Sequence, residues 1–354
     1  MTRVRADDLP ARPVLSRRAR RVVSIAAIVL LCLLILASLA SASPWPSALV
    51  IRSVFEKGAA ETVAEMKPFV PSSGIRSELG IRYAPGSPDT TLDVFHPEHA
   101  AGPLPTVVWI HGGAWISGAS ENVDPYLQIL AAEGFTTVGV NYTVGPEATY
   151  PTAVRQLNEA LRYLDAHADT LRIDRDRIVL AGDSAGSQLA SQLAVMTTSR
   201  EYAHLLGITP ALKPSQLSGV VLNCGVYDLD ALADLTGING WGFKTALWAY
   251  SGTKNWSQTY VGATMSTIQH VTADFPPTYI SGGNGDGLTW TQSVPMAATL
   301  RAKGVDVTEL FWPADHEPAL PHEYQFHLRF EEAHTALAAT IAFLRAHTGG
   351  GPRN

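Results

Sequence analysis

Residues 182–186 read Gly-Asp-Ser-Ala-Gly, directly after the apolar run Ile178-Val179-Leu180-Ala181 and directly before a helix-compatible stretch of small residues. A serine on so sharp a strand-to-helix turn is held in a strained backbone conformation, so the positions two before and two after it must be small. Its hydroxyl then projects above the sheet at the positive end of the new helix, where developing negative charge is stabilised. This context on both sides makes Ser184 a candidate nucleophile rather than a plain turn residue. Asp183 reads as a turn or helix-start residue, not as the acid of the chemistry.

A serine hydroxyl is barely ionised at neutral pH, so a nucleophilic serine needs a base and donors for the oxyanion it creates. The stretch Val107-Val108-Trp109-Ile110-His111-Gly112-Gly113-Ala114-Trp115 lies one strand–helix–strand unit before the serine. Without side chains, Gly112 and Gly113 can turn their N–H groups toward a carbonyl bound over Ser184, joined by the N–H of Ala185. His111 precedes the serine, whereas the base of such a fold follows it. It therefore reads as support for the loop, and Trp115 as packing.

The elements that must position these groups alternate short β-branched runs with longer helical patterns, the signature of an α/β fold with a largely parallel sheet. Strands are predicted at 91–95, 106–110, 136–142, 177–181, 218–224, 277–281 and 306–312. Helices are predicted at about 53–67, 152–168, 184–197, 290–304 and 323–346. Residues 229–272 are too long for a simple crossover and carry Trp241, Phe243, Trp248, Tyr250, Trp256 and Tyr260. They read as a helical insertion docked by its aromatics and able to cap a pocket.

The N-terminus is of another kind. Residues 1–21 hold seven arginines against Asp7 and Asp8, a local charge of +5, which leaves about −11 of the net −6 on the remainder and argues against a nucleic-acid-binding body. Residues 22–42 carry no charge at all. A helix of that length rises about 30 Å and spans a bilayer core, and the flanking arginines favour a cytoplasmic tail. The alternative is a signal peptide cleaved near Ala42, since Ala40-Ser41-Ala42 has the small-residue pattern of a cleavage site. Either way the body is exported. The predicted organisation is a basic tail (1–21), a transmembrane segment (22–42), a linker with a cap helix (43–74) and a catalytic domain (75–350) with its insertion at 229–272. Two cysteines, one inside the apolar run, form no disulfide framework.

The sequence His-Gly-Gly-Ala-Trp, then Val140-Asn141-Tyr142 leading to a proline-headed helix, then Gly-Asp-Ser-Ala-Gly, resembles the hormone-sensitive-lipase-like branch of the α/β-hydrolase esterases over about residues 75–346. Ala114 stands where that family often has a third glycine, and Thr143-Val144-Gly145 where it often has Arg-Leu-Ala. The resemblance implies an α/β-hydrolase fold with a helical cap. It also implies an acid after the seventh strand and a histidine after the eighth. Asp286 in Gly-Asp-Gly-Leu fits the first, with Asp228 as the rival. His316 stands on the loop directly after strand 306–312 and fits the second, with His322 as the rival.

These roles describe a carboxylesterase or lipase-like serine hydrolase acting on a small acyl ester: Ser184 attacks, His316 takes its proton, Asp286 orients the base, and Gly112, Gly113 and Ala185 hold the oxyanion. An amidase, acyltransferase or peptidase would use the same groups. In a different class stands an inactive hydrolase fold serving as a binding module. No cofactor and no metal is implied, because the histidines near 315 lack spaced partner ligands and no strand is followed by GxGxxG. No residue pattern speaks to oligomeric state.

Overall fold

The computed structural model describes residues 16–349; residues 1–15 of the predicted basic tail and the predicted domain end at 350 lie outside the described residues. The chain divides into two units after Pro46. In the first, helix α1 (Arg17–Ala42) opens on Ser16, whose hydroxyl accepts the N–H of Ala19 at 3.2 Å. Its 26 residues are long and apolar enough to cross a membrane.

Around that helix the expected boundaries need one adjustment. Helix α2 (Trp45–Met66) starts eight residues before the predicted 53. Pro44 and Pro46 read as breakers, yet a proline in the first helical turn loses no hydrogen bond.

In the second unit, strands β1 (Ile75–Arg82), β2 (Thr91–Pro97), β3 (Leu104–Ile110), β4 (Thr136–Val140), β5 (Ile173–Asp183), β6 (Leu217–Asn223), β7 (Thr278–Gly282) and β8 (Val307–Phe311) form one sheet in the order β1-β2-β4-β3-β5-β6-β7-β8. β1 and β2 run antiparallel to their neighbours, and all pairs from β4 to β8 are parallel. This is an α/β-hydrolase fold. The seven predicted strands are present. β1 escapes the pattern because, as an edge strand, most of its residues face solvent and no apolar run marks it. β3 is buried along its whole length, which is why it reads as a largely apolar segment.

Helices α3 (Asp124–Ala132), α4 (Thr152–Ala166), α5 (Ala185–Thr198), α6 (Arg200–Leu206), α7 (Leu229–Ala233), α8 (Gly237–Ser251), α9 (Tyr260–Met265), α10 (Val294–Ala302) and α11 (Glu331–Thr348) complete the unit. Two apolar cores lie on the sheet's two faces: Val108, Leu180 and Leu222 belong to one, Trp109, Ala181 and Tyr279 to the other. The strand order turns between β3 and β5, β4 lying on one side of β3 and β5 on the other. A crevice therefore opens beyond the carboxyl ends of these two strands.

One boundary differs in a way that matters for chemistry. The last helix begins at Glu331, not at 323. Residues 312–330 form an extended loop, fastened where Asn284 donates to the His316 carbonyl at 2.8 Å and accepts the Leu320 N–H at 2.9 Å. Leu320 and Tyr324 bury their side chains against Ala336 of α11, anchoring the loop from below.

Candidate active site

Ser184 sits where β5 becomes α5, with φ of 51°. Only this left-handed kink turns the chain so abruptly, and the surroundings leave room for nothing bulkier than glycine on either side. A Cβ on Gly182 would collide with the Gly186 backbone, and one on Gly186 with the carbonyl of Ile110. The Ser184 N–H is held by the Asn223 carbonyl at 2.9 Å, which fixes the turn against β6.

The structure brings His322, not His316, to this serine. His322 Nε2 lies 2.9 Å from Ser184 Oγ, and its Nδ1 lies 2.7 Å from Asp286 Oδ2. His316 instead bonds Glu332 Oε1 at 2.7 Å and rests against Trp312. The expectation of His316 is corrected for a geometric reason. β8 lies three strands from β5, roughly 14 Å at ordinary strand spacing. Five residues of chain could cross that gap only if extended, but the chain turns at once, His316 N–H bonding the Pro313 carbonyl at 2.9 Å. Six further residues carry it back over the strand ends.

Asp286 is placed as expected, after β7, with 7% of its surface exposed. Its second oxygen accepts the Leu288 N–H at 2.9 Å, so the carboxylate is locked on both sides. The rival Asp228 caps α7 by accepting the Asp230 N–H at 3.0 Å.

The loop expected to hold an oxyanion departs from expectation at Gly112. Its N–H donates to Asp183 Oδ2 at 2.7 Å and is therefore spent inside the protein. Gly113 and Ala114 follow with φ of 99° and 52°. The N–H groups that remain for a ligand are those of Gly113, Ala114 and Ala185, the last in the unpaired first turn of α5. Gly113 must be glycine because a Cβ there would enter the Ser117 carbonyl, whereas Gly112 must be glycine because two carboxyl groups, of Asp183 and Glu323, crowd its Cα. Asp183 is thus no helix-start residue. Its carboxyl is buried, accepts Trp109 Nε1 at 2.7 Å, and ties the oxyanion loop to the serine turn.

His111 behaves as loop support. Its Nδ1 meets the Gly112 carbonyl at 2.9 Å and its ring stacks on Tyr142. Burial pushes its pKa down to about 4 against the opposing Gly112 hydrogen bond, so it is neutral. Trp115 is fully buried, donating to Gln188 Oε1 at 3.1 Å.

His322 is pulled the other way. Burial lowers its pKa, but the Asp286 hydrogen bond and charge, followed by Glu323 and Asp183, outweigh it and raise the value to about 9. The side chain is 37% exposed, and the shift runs upward from the ordinary 6.5 toward about 9. A raised pKa means that the imidazole holds its proton below the midpoint and can accept one only above it. Ester hydrolysis is accordingly expected to rise with pH through that window. A kcat/KM profile for p-nitrophenyl acetate that is flat from 6.5 to about 9 would contradict this.

A cavity of about 550 Å³ opens over Ser184 and His322. One wall is α2, through Val54, Phe55, Ala59 and Thr62; Phe243 of α8 and Phe326 close other sides. α2 is pinned at both ends. Arg52 bridges the carbonyls of Ile116 and Gly145 and the carboxylate of Glu147, while Glu65 pairs with His327 and Arg329. Ala48 and Ile51 pack with Ala114, Ala246 and Ala249, so the helix covers the oxyanion loop directly. The 229–272 segment forms helices as predicted, with Tyr250 and Trp256 buried and Trp241 and Tyr260 exposed.

Comparison with known proteins follows the same lines. The BD-FAE family model matches residues 92–300. Esterase B from Lactobacillus Rhamnosis is 24% identical with a TM-score of 0.74, covering 86% of this chain and 96% of that one. A bacterial heroin esterase is 23% identical with a TM-score of 0.65, covering 84% and 90%. The carboxylesterase EstE1 from a metagenomic library is 21% identical with a TM-score of 0.66, covering 87% and 99%.

Proposed function

The chain belongs to the BD-FAE family of α/β-hydrolase esterases, and from that membership we propose that it cleaves carboxylic esters through an acyl-enzyme, with Ser184 as nucleophile, His322 as base and Asp286 as the orienting acid. The observation that carries the reading is the unbroken line from Ser184 Oγ to His322 at 2.9 Å and from His322 to Asp286 at 2.7 Å. Asp286 keeps the Nδ1 proton on its own side, which leaves Nε2 free to accept from the serine.

His322 removes the hydroxyl proton as Ser184 attacks the acyl carbonyl. The oxyanion receives hydrogen bonds from the N–H groups of Gly113, Ala114 and Ala185, donors already aimed before the charge develops. The imidazolium returns its proton to the departing alkoxide, and water, deprotonated by the same ring, releases the acid. The named activities of the similar esterases support an ester as the scissile bond.

α2 and the 229–272 segment serve as the cap of the cleft in this reading. α1 serves as an uncleaved anchor, and Arg17, Arg18, Arg20 and Arg21 at its start favour an orientation with the catalytic body outside the cytoplasm.

A fluorophosphonate probe tests the proposal on the full chain in detergent. The wild type is expected to become covalently labelled and Ser184→Ala not. A folded wild type that resists the probe would refute the nucleophile.

A further inference from the structure

The mechanism leaves one pair of groups unused. Asp183 is buried, and its Oδ2 and the Oε1 of Glu323 converge on the same point beside Gly112. Two carboxyl groups brought this close can hydrogen-bond to each other only if one of them carries a proton. Glu323 directly follows the base in sequence and places Oε1 3.6 Å from His322 Nε2. Its backbone has φ of 58°, an uncommon conformation for a residue with a long side chain, persisting where the surroundings over-determine it.

Both carboxyl groups converge on Gly112, within the loop that follows β3. Asp183 therefore gathers the Trp109 indole of β3, the Gly112 N–H and, where Glu323 meets it beside Gly112, the loop that bears His322. We propose that Glu323 is a positioning residue, which latches the base-bearing loop to the serine turn and the oxyanion loop through a proton shared with Asp183. The inference rests on the serine-hydrolase reading above.

The other groups facing the pair are His322, with Asp286 behind it, the Cys224 thiol, and the Tyr142 hydroxyl, which donates to the His111 carbonyl at 3.0 Å. Burial raises the Asp183 carboxyl well above the ordinary range, and Glu323 raises it further against the Trp109 and Gly112 hydrogen bonds. The sign follows. A carboxyl with a raised pKa keeps its proton, and the latch, at low pH; both are lost as pH rises through the raised value, when two buried charges repel.

Kinetics of p-nitrophenyl acetate hydrolysis by the full chain, measured across pH for wild type, Glu323→Gln and Glu323→Ala, test the latch. Misplacing the base is expected to lower kcat for Glu323→Ala by roughly 10- to 100-fold with KM little changed. The amide of Glu323→Gln donates to Asp183 without needing a shared proton, so it should recover most of that loss and abolish the alkaline decline of the wild type. The inference is overturned if the wild type shows no alkaline decline, if Gln and wild type decline together, or if Gln is as impaired as Ala. Should Glu323→Ala fail to fold, the Gln profile alone decides. A wild type that neither hydrolyses esters nor takes the fluorophosphonate label would instead overturn the serine-hydrolase reading.

Discussion

Replacing His322 with alanine should lower kcat for p-nitrophenyl acetate hydrolysis on the order of 10⁴- to 10⁶-fold, while His316→Ala should leave it within about threefold. The first loss is large because the ring nitrogen 2.9 Å from Ser184 Oγ, which takes its proton, is removed. The second is small because His316 spends its Nε2 on Glu332, at 2.7 Å, on the far side of the Asn284 staple. Its removal costs at most one part-buried hydrogen bond at the start of α11, worth about 1 kcal/mol. Steady-state kinetics of both variants, with thermal unfolding as a control, decide the matter. Equal losses, or a larger loss for His316→Ala, would assign the base to the wrong loop turn.

Asp286→Asn carries the second large effect, a fall in kcat of about 10⁴-fold, set against a change within a few-fold for Asp228→Asn. An asparagine at 286 keeps the shape but presents an amide toward Nδ1, and the ring then prefers the tautomer with its proton on Nε2, facing the serine. Such a ring cannot take the serine proton. The carboxylate also steadies the imidazolium formed during attack, and that support is lost too. Asp228 has neither duty, since its oxygen accepts the Asp230 N–H at 3.0 Å within its own helix cap. Its replacement should be felt as a modest loss of stability of about 1 kcal/mol or less in thermal melts, because asparagine caps a helix nearly as well. A catalytic defect for Asp228→Asn comparable to that of Asp286→Asn would contradict this division.

The pH behaviour links these sites. Deprotonation of His322 opens activity at the acid side, and in the latch proposal loss of the proton shared by Asp183 and Glu323 closes it at the alkaline side. The acid limb traces chiefly to Asp286, hydrogen-bonded to His322, and the alkaline limb to the two carboxyl groups that converge beside Gly112.

Much of this was legible in the order of residues. The serine turn is a local steric statement: a left-handed residue between two glycines, written within five positions. Strands β2 to β7 announced themselves because they are buried along most of their length, and β8, which is only partly buried, because β-branched and aromatic residues mark it. Asp286 was readable because its loop is short and begins at a strand end. The same locality made α1 visible, since a span needs nothing but a long stretch of apolar side chains.

Other features are set only by tertiary structure. His316 and His322 stand six residues apart on one loop, and nothing local distinguishes them; which one meets Ser184 depends on how far the chain must travel back from β8, at the edge of the sheet, toward β5. Gly112 and Gly113 look alike in sequence, yet Asp183, seventy-one positions later, takes the N–H of the first and so leaves the N–H groups of Gly113 and Ala114 as the candidate oxyanion donors. Glu323 carried no signal at all, because its partner Asp183 is distant in sequence and the meeting of two carboxyl groups is unfavourable until a buried pocket lets them share a proton. Sequence determines what a residue can do within its own turn; packing of distant strands and loops decides which equivalent residue does it.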